Sequence, residues 1–164
     1  MTIEIRPIRL EDAEGYNRVL DLVAREEVYL RLIKAPPLPA SLDFVRNNIA
    51  RDNSHFVALD QGEVIGWCDV CRSDERGSEH VGSLGMGLAP SHRGQGIGRR
   101  LIDATMEHAA TRFRRVELDV YESNHRAQAL YRAASFEHEG TRRAAILLKN
   151  GYQDILTMAR IFEI

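Results

Sequence analysis

Arg93-Gly94-Gln95-Gly96-Ile97-Gly98 lies between an apolar, strand-like run, Leu84-Gly-Met-Gly-Leu88, and a helical one that begins Arg99-Arg100-Leu101-Ile102. Glycines in such a turn let backbone N–H groups come close to phosphate oxygens. The N-terminus of the following helix adds its partial positive charge at the same spot. The chemistry this points to is the holding of a pyrophosphate. Spacing excludes two common owners. The dinucleotide fingerprint G-x-G-x-x-G would need its third glycine where the chain has Arg99 or Leu101. A Walker A loop ends in Gly-Lys-Ser/Thr, and the chain contains no such triplet. What remains is Arg93-x-x-Gly96-x-Gly98, for which a plain helix-capping turn without a ligand is the competing reading.

The elements that must position this loop are legible as periodicities. Residues 2–9 alternate as a first strand, and Glu11 to Arg25 carries Ala13, Tyr16, Val19, Leu20 and Val23 at helical spacing. Glu26 to Ala40 is irregular and ends in Ala35-Pro-Pro-Leu-Pro39, after which Ser41 is expected to cap a short helix. His55–Leu59 and Val64–Cys68 read as a hairpin around Asp60–Glu63. A fourth strand over about Val81–Leu88 precedes the glycine loop, and its Gly82, Gly85 and Gly87 suit a bulge or the close approach of a ligand. A helix with Ile102, Met106, Ala109 and Phe113 on one face follows, then a strand over Val116–Tyr121, a helix over Asn124–Ala134 and a hairpin about Asn150-Gly151. The order β-α-α-β-β-β-α-β-α-β-β implies an α/β fold, a mixed sheet with helices on both faces, in one domain over 1–164.

A second motif follows the loop: Leu118-x-Val120-x-x-x-Asn124-x-x-Ala127-x-x-Leu130-Tyr131, then Phe136. Asn124 and Tyr131 are seven residues apart and so share a helix face, two turns from each other. Taken with Arg93-x-x-Gly96-x-Gly98, this segment resembles the GNAT N-acetyltransferases over about residues 80–162. The resemblance implies a sheet splayed between its fourth and fifth strands and acetyl-CoA as co-substrate, with no metal. It places the backbone of Met86 and Leu88 on the pantetheine arm and residues Arg93, Gly94, Gln95, Gly96, Ile97, Gly98 and Arg99 on the pyrophosphate. Asn124 falls beside pantetheine, and Tyr131 is the general acid to the CoA thiolate. A phenol near ~10 in pKa is suited to protonate a departing thiolate. The competing readings are a plain cap for Asn124 and a core aromatic for Tyr131. One departure is visible: the family's glycine before the Phe is Ser135 here.

The implied reaction is direct attack by a primary amine on the thioester, in a ternary complex. The amine is an amino acid, a polyamine, another small amine or a protein N-terminus, and Asn150-Gly-x-x-Asp154-x-x-x-Met158 is similar to the subgroup that acts on such acceptors. The alternative is a non-catalytic acyl-CoA-binding sensor of the same fold. No carboxylate stands inside the fourth strand, so the base is unassigned, with Glu79 and His80 at its start as the nearest candidates and Asp119 and Tyr121 as strand positions facing either cleft or solvent. Glu26, Glu27 and Tyr29 are candidates for holding the amine.

Composition bounds the rest. The 164 residues are 44% hydrophobic and 28% charged, with 22 basic against 24 acidic side chains. That balance gives no electrostatic footprint for nucleic acid. No apolar run reaches the ~20 residues of a membrane span, and the N-terminus lacks a signal peptide's features, so a cytoplasmic location is expected. The oligomeric state is open, a homodimer included. Both cysteines lie in Cys68-Asp-Val-Cys71, where positions three apart in a strand face opposite ways, so packing thiols are expected rather than a metal or disulfide pair.

Overall fold

The computed structural model describes residues 2–163. Strand β1 (Ile3–Pro7) is followed by helices α1 (Ala13–Ala24) and α2 (Leu38–Ala50), then by β2 (Ser54–Asp60), β3 (Glu63–Arg72) and β4 (Val81–Leu88). Helix α3 (Ile97–Ala109), β5 (Arg115–Tyr121), α4 (His125–Ala133), β6 (Glu137–Leu148) and β7 (Gly151–Ile161) complete the order expected from the sequence. The seven strands form one sheet in the order β1-β2-β3-β4-β5-β7-β6. β4 and β5 run parallel, and the other pairs are antiparallel.

Strand alternation divides the core between the two faces of the sheet. Cys68, Val70, Leu84, Val116, Leu118 and Val120 face the apolar stripes of α3 and α4, chiefly Leu101, Ile102, Met106 and Tyr131. Val57, Leu59 and Trp67 face Tyr16, Val19, Leu20 and Val23 of α1 and Val45 of α2. Each such side chain contributes roughly 1.5–3 kcal/mol on burial. Cys68 is buried on the first face and Cys71 is turned to the second, both as free thiols.

Two local expectations are corrected. Helix α2 begins at Leu38, with Pro39 in its first turn, where a missing N–H leaves no bond unmade. Ser41 is therefore inside the helix and buried, its Oγ accepting from Asn17 Nδ2 at 2.8 Å, and is not a cap. Strand β4 carries no bulge, since its register with β3 is unbroken from Gly66–Leu88 to Arg72–Gly82. A Cβ at Gly82 would stand 2.3 Å from Val70, and one at Gly87 2.3 Å from Trp67. Core neighbours thus require those two glycines.

The pairing that positions everything else is the shortest. β4 and β5 are joined only at Val81–Arg115, Gly82–Val116 and Ser83–Glu117. Beyond Ser83, β4 continues along β3 while β5 continues along β7 as far as Tyr121–Ile155, and the sheet opens between them.

Candidate active site

The opening leaves polar backbone without a strand partner. Ser73 N–H donates to Val81 C=O and Ala89 N–H to Ile65 C=O, so the odd-numbered residues of β4 address β3. By alternation, the N–H and C=O groups of Met86 and Leu88 address the gap. One of these is already engaged: Leu88 C=O accepts from Arg93 Nε at 3.0 Å.

The glycine loop closes one side of this gap. Gly94 and Gly96 have φ of +73° and +78°, left-handed values that a side chain disfavours, and Gly96 is the residue from which α3 springs. The first N–H of α3 with an intrahelical partner is Arg100, bonded to Gly96 C=O, so those of Ile97, Gly98 and Arg99 are left at the helix's positive end. A Cβ built on Gly98 would touch Leu130 at 3.6 Å and Met86 at 3.9 Å, on the floor of the opening.

Together these groups border a cleft of about 530 Å³, lined by Met86, Gly87 and Leu88, by Arg93, Gly94, Gly96, Gly98 and Arg99, and by Asn124, Arg126 and Tyr131 of the α4 region, with Tyr29 at its rim. Nearly all residues expected to hold the donor are thus brought together. Two of the loop side chains are elsewhere: Gln95 is exposed and bonds Ser91 C=O, and Ile97 is buried in the core. The Arg93 guanidinium is committed to Glu26 at 3.1 Å and stacks over the Tyr29 ring at 5.0 Å, tying the loop to the segment after α1. Arg126, which sequence reading passed over, supplies a cationic side chain at the cleft wall.

Helix α4 is fixed at both ends. Asn124 Oδ1 accepts from Ala127 N–H at 3.2 Å, so it caps the helix while bordering the cleft. At the other end Ser135 takes φ +69°, with Phe136 N–H bonded to Tyr131 C=O and Ser135 N–H to Arg132 C=O. This is the left-handed cap that glycine makes more easily, completed by contact of the Phe136 and Tyr131 rings, 6.0 Å apart. It holds Tyr131 buried against the cleft, and burial raises the phenol's pKa, keeping it protonated across neutral pH. Cys68 packs near it, but complete burial raises that thiol's pKa as well and leaves it inert as a nucleophile.

On the α1/α2 side of the gap lie two smaller chambers. One, of about 290 Å³, is lined by Tyr29 and Arg31, by Ser83, and by Glu117, Asp119 and Tyr121 of β5 with Thr157 of β7. Asp119 is engaged by Arg142 and by Thr157 Oγ1 at 3.1 Å, and Glu117 by Arg115 at 2.8 Å. The Tyr121 hydroxyl is buried with no hydrogen-bond partner among the described residues. The other chamber, about 380 Å³, is mostly apolar and lies between Tyr16, Phe44, Trp67, Gly85 and Met86, sharing Arg31 with the first. Tyr29 borders the 290 Å³ chamber and the large cleft, and Met86 borders the 380 Å³ chamber and the large cleft.

The two candidates for the base are not brought to the gap. Glu79 and His80 precede Val81, at the paired end of β4, and seven residues of strand, about 23 Å, separate that end from Leu88. Hydrogen bonds from its own backbone N–H and that of Gly77 hold the Glu79 carboxylate below its usual range. Glu27, with φ +58°, borders none of the three cavities.

The described pattern has a known counterpart. Residues 16–136, well over half of the chain, match the model of the Acetyltransferase (GNAT) family. The chain belongs to the GNAT acetyltransferase family. It is accordingly an acyl-CoA-dependent N-acetyltransferase with acetyl-CoA as its co-substrate. Among curated proteins this GNAT enzyme is 25% identical over 156 residues to the L-amino acid N-acetyltransferase AaaT of Escherichia coli, covering 94% of this chain and 96% of that one. It is 32% identical over 96 residues to the N-alpha-acetyltransferase RimI of Mycobacterium tuberculosis, covering 58% and 60%. Among solved structures, a phosphinothricin acetyltransferase of Sinorhizobium meliloti in complex with AcCoA superimposes with a TM-score of 0.91 at 22% identity, over 99% of this chain and 89% of that one. At that identity the likeness speaks to the fold. Among the described residues no group of three or more His, Cys, Asp and Glu is arranged to hold a metal ion, and no helix is long and apolar enough to cross a membrane.

Proposed function

We propose that this enzyme acetylates the α-amino group of a free amino acid. The observation that carries the reading is the meeting of the 530 Å³ cleft with the 290 Å³ chamber at Tyr29, on either side of the open β4–β5 seam. The cleft fits the donor: Gly94, Gly96 and Gly98 clear space for a pyrophosphate beside the free amides of α3, and Arg126 adds positive charge. The gap-facing N–H and C=O of Met86 and the N–H of Leu88 would pair with the pantetheine amides. Acetyl-CoA then supplies an activated acyl carbon at the seam.

The chamber suits an acceptor that carries a carboxylate. The Tyr121 hydroxyl is buried without a partner, and the Arg31 guanidinium is close enough to oppose the rise in that phenol's pKa that burial causes. A bound carboxylate would satisfy both. That the Escherichia coli relative is an L-amino acid N-acetyltransferase favours the same class. The acceptor nitrogen attacks the thioester directly, and Tyr131, kept protonated by burial, gives its proton to the departing sulfur. The test is acetyl-CoA consumption with free amino acids, their amides, polyamines and peptide N-termini. A kcat/KM for an amino acid about ten-fold or more above that of its amide is expected. Equal use of the two, or a polyamine as the best acceptor, would overturn the amino-acid reading.

A further inference from the structure

Asp69 is a charged residue in the middle of an otherwise apolar strand, and neither the motifs nor the reaction described so far uses it. It is buried at 7% exposure on the α1/α2 face of β3, and its carboxylate accepts from Cys71 Sγ at 3.3 Å with the Trp67 indole alongside. Among the described residues it has no ion-pair partner. The groups that face it are neutral. From β2, His55 stands opposite it in the ladder; burial lowers the imidazole pKa to about 3, and its Nδ1 is bonded to Asn48 of α2. From α1, the phenol of Tyr16 is held protonated by burial, and so is the thiol of Cys71 on its own strand. A buried carboxylate without a cation is costly. Burial pushes the Asp69 pKa up to about 7.

On the fourth side stands Gly85, the cross-strand neighbour of Asp69 in β4. A Cβ built on Gly85 would have only Asp69 Oδ1 and Oδ2 within 4 Å, both at 3.7 Å. The space over Gly85 is therefore open to one thing, a carboxylate. Gly85 and Trp67 line the 380 Å³ chamber, and the next residue along β4, Met86, borders the donor cleft. A nitrogen seated there would lie within hydrogen-bond reach of Asp69 beside the seam where the thioester must lie.

Building on the acetyl-transfer reading above, we propose that Asp69 is the general base, receiving a proton from the acceptor ammonium across the vacant side-chain position of Gly85. Over one turnover the nitrogen gives up two protons. The first passes to Asp69, freeing the lone pair that forms the C–N bond. As that bond forms, the C–S bond breaks and the sulfur takes a proton from Tyr131. The second proton of the nitrogen leaves after attack and restores the Tyr131 phenol, while Asp69 releases its proton to solvent, so the balance is amide, CoA thiol and one proton to solvent.

The experiment is the pH dependence of kcat/KM for the best amine of the acceptor panel, whichever class that is, in the wild type and Asp69→Asn. In the wild type, activity is expected to climb with pH and level off above an apparent pKa of about 7, because the ionised carboxylate is the active form. In Asp69→Asn, kcat/KM at pH 7 should fall about 100-fold with the Kd of acetyl-CoA unchanged, and the deficit should shrink as pH approaches the amine's own pKa. A merely structural Asp69 would lower rates evenly without moving the profile, and that outcome overturns the proposal. Two readouts need no turnover. The ¹³C signal of the Asp69 carboxyl should titrate near pH 7, and a carboxylate ionised throughout pH 5–8 would refute the assignment. Because the folded-state pKa is raised, ionisation destabilises the fold as pH rises through it, so Asp69→Asn should gain more Tm at pH 8 than at pH 5. An acceptor panel on which only polyamines react would overturn the amino-acid reading and leave this test intact.

Discussion

The proposed donor cleft meets one proposed acceptor chamber at Tyr29 and the other at Met86, yet the regions are built on different principles. The cleft offers backbone groups, from the left-handed glycines 94 and 96, the amides at the start of α3 and the unpaired edge of β4, beside the side chains of Asn124, Arg126 and Tyr131. The chambers are made of side chains from α1, α2 and β3, the segment after α1, and β5 and β7. On the reading proposed above, backbone groups would recognise what every acetyl-CoA presents. A wall of side chains drawn from distant elements can change one residue at a time and so choose the acceptor.

Changes along the seam should separate the two regions. The largest effect is expected where they join: Tyr131→Phe should lower kcat about 100-fold, within the usual range for a lost general acid, while leaving both Kd values within about two-fold. A kcat unchanged in stopped-flow or steady-state assays would remove Tyr131 from the chemistry. Next comes the chamber. Tyr121→Phe should raise KM for an amino acid about ten-fold, the loss of one hydrogen bond to a charged group, and leave acetyl-CoA affinity untouched. The same change deletes a buried hydroxyl that has no partner in the free protein, so calorimetry should show Tm rising by about 2–4 °C. The smallest effect is expected away from both regions. Ser135→Gly relieves the left-handed serine at the end of α4 and should add about 0.5–1 kcal/mol, near 2 °C in Tm, with kinetics unaltered.

The same contrast governs what could be read in the sequence. Gly94 and Gly96 are demanded by their own φ values, so the loop is a local signal and survives in one dimension. The layout of elements was legible for a similar reason, since each helix and strand carries its own apolar period. Asp69 was not legible, because its meaning comes from the β3–β4 register that sets it against Gly85 and from helices that seal it from water. A charge in an apolar strand was the one available sign. Gly82 misled in the opposite direction: it suggested a ligand, whereas Val70 and Phe113 already occupy the space, while at Gly87 Trp67 fills the side-chain position and the residue still borders the cleft. Pro39 misled as well, since the residues before Ser41 form the first turn of α2. The candidates Glu79 and His80 were chosen by proximity in sequence to β4, and the strand's own length carries them away from the gap.

Binding of the donor in the cleft floored by Gly98 can be tested without knowing the acceptor. Gly98 has room for a methyl group, with Leu130 and Met86 at ordinary contact distance, but a larger side chain must grow into the cleft from a helix it does not otherwise disturb. Isothermal titration of acetyl-CoA into the wild type, Gly98→Ala and Gly98→Phe is the direct measurement. Saturable one-site binding is expected for the first two, with Gly98→Phe folded and weakened at least 100-fold. Wild-type affinity in Gly98→Phe would contradict the account.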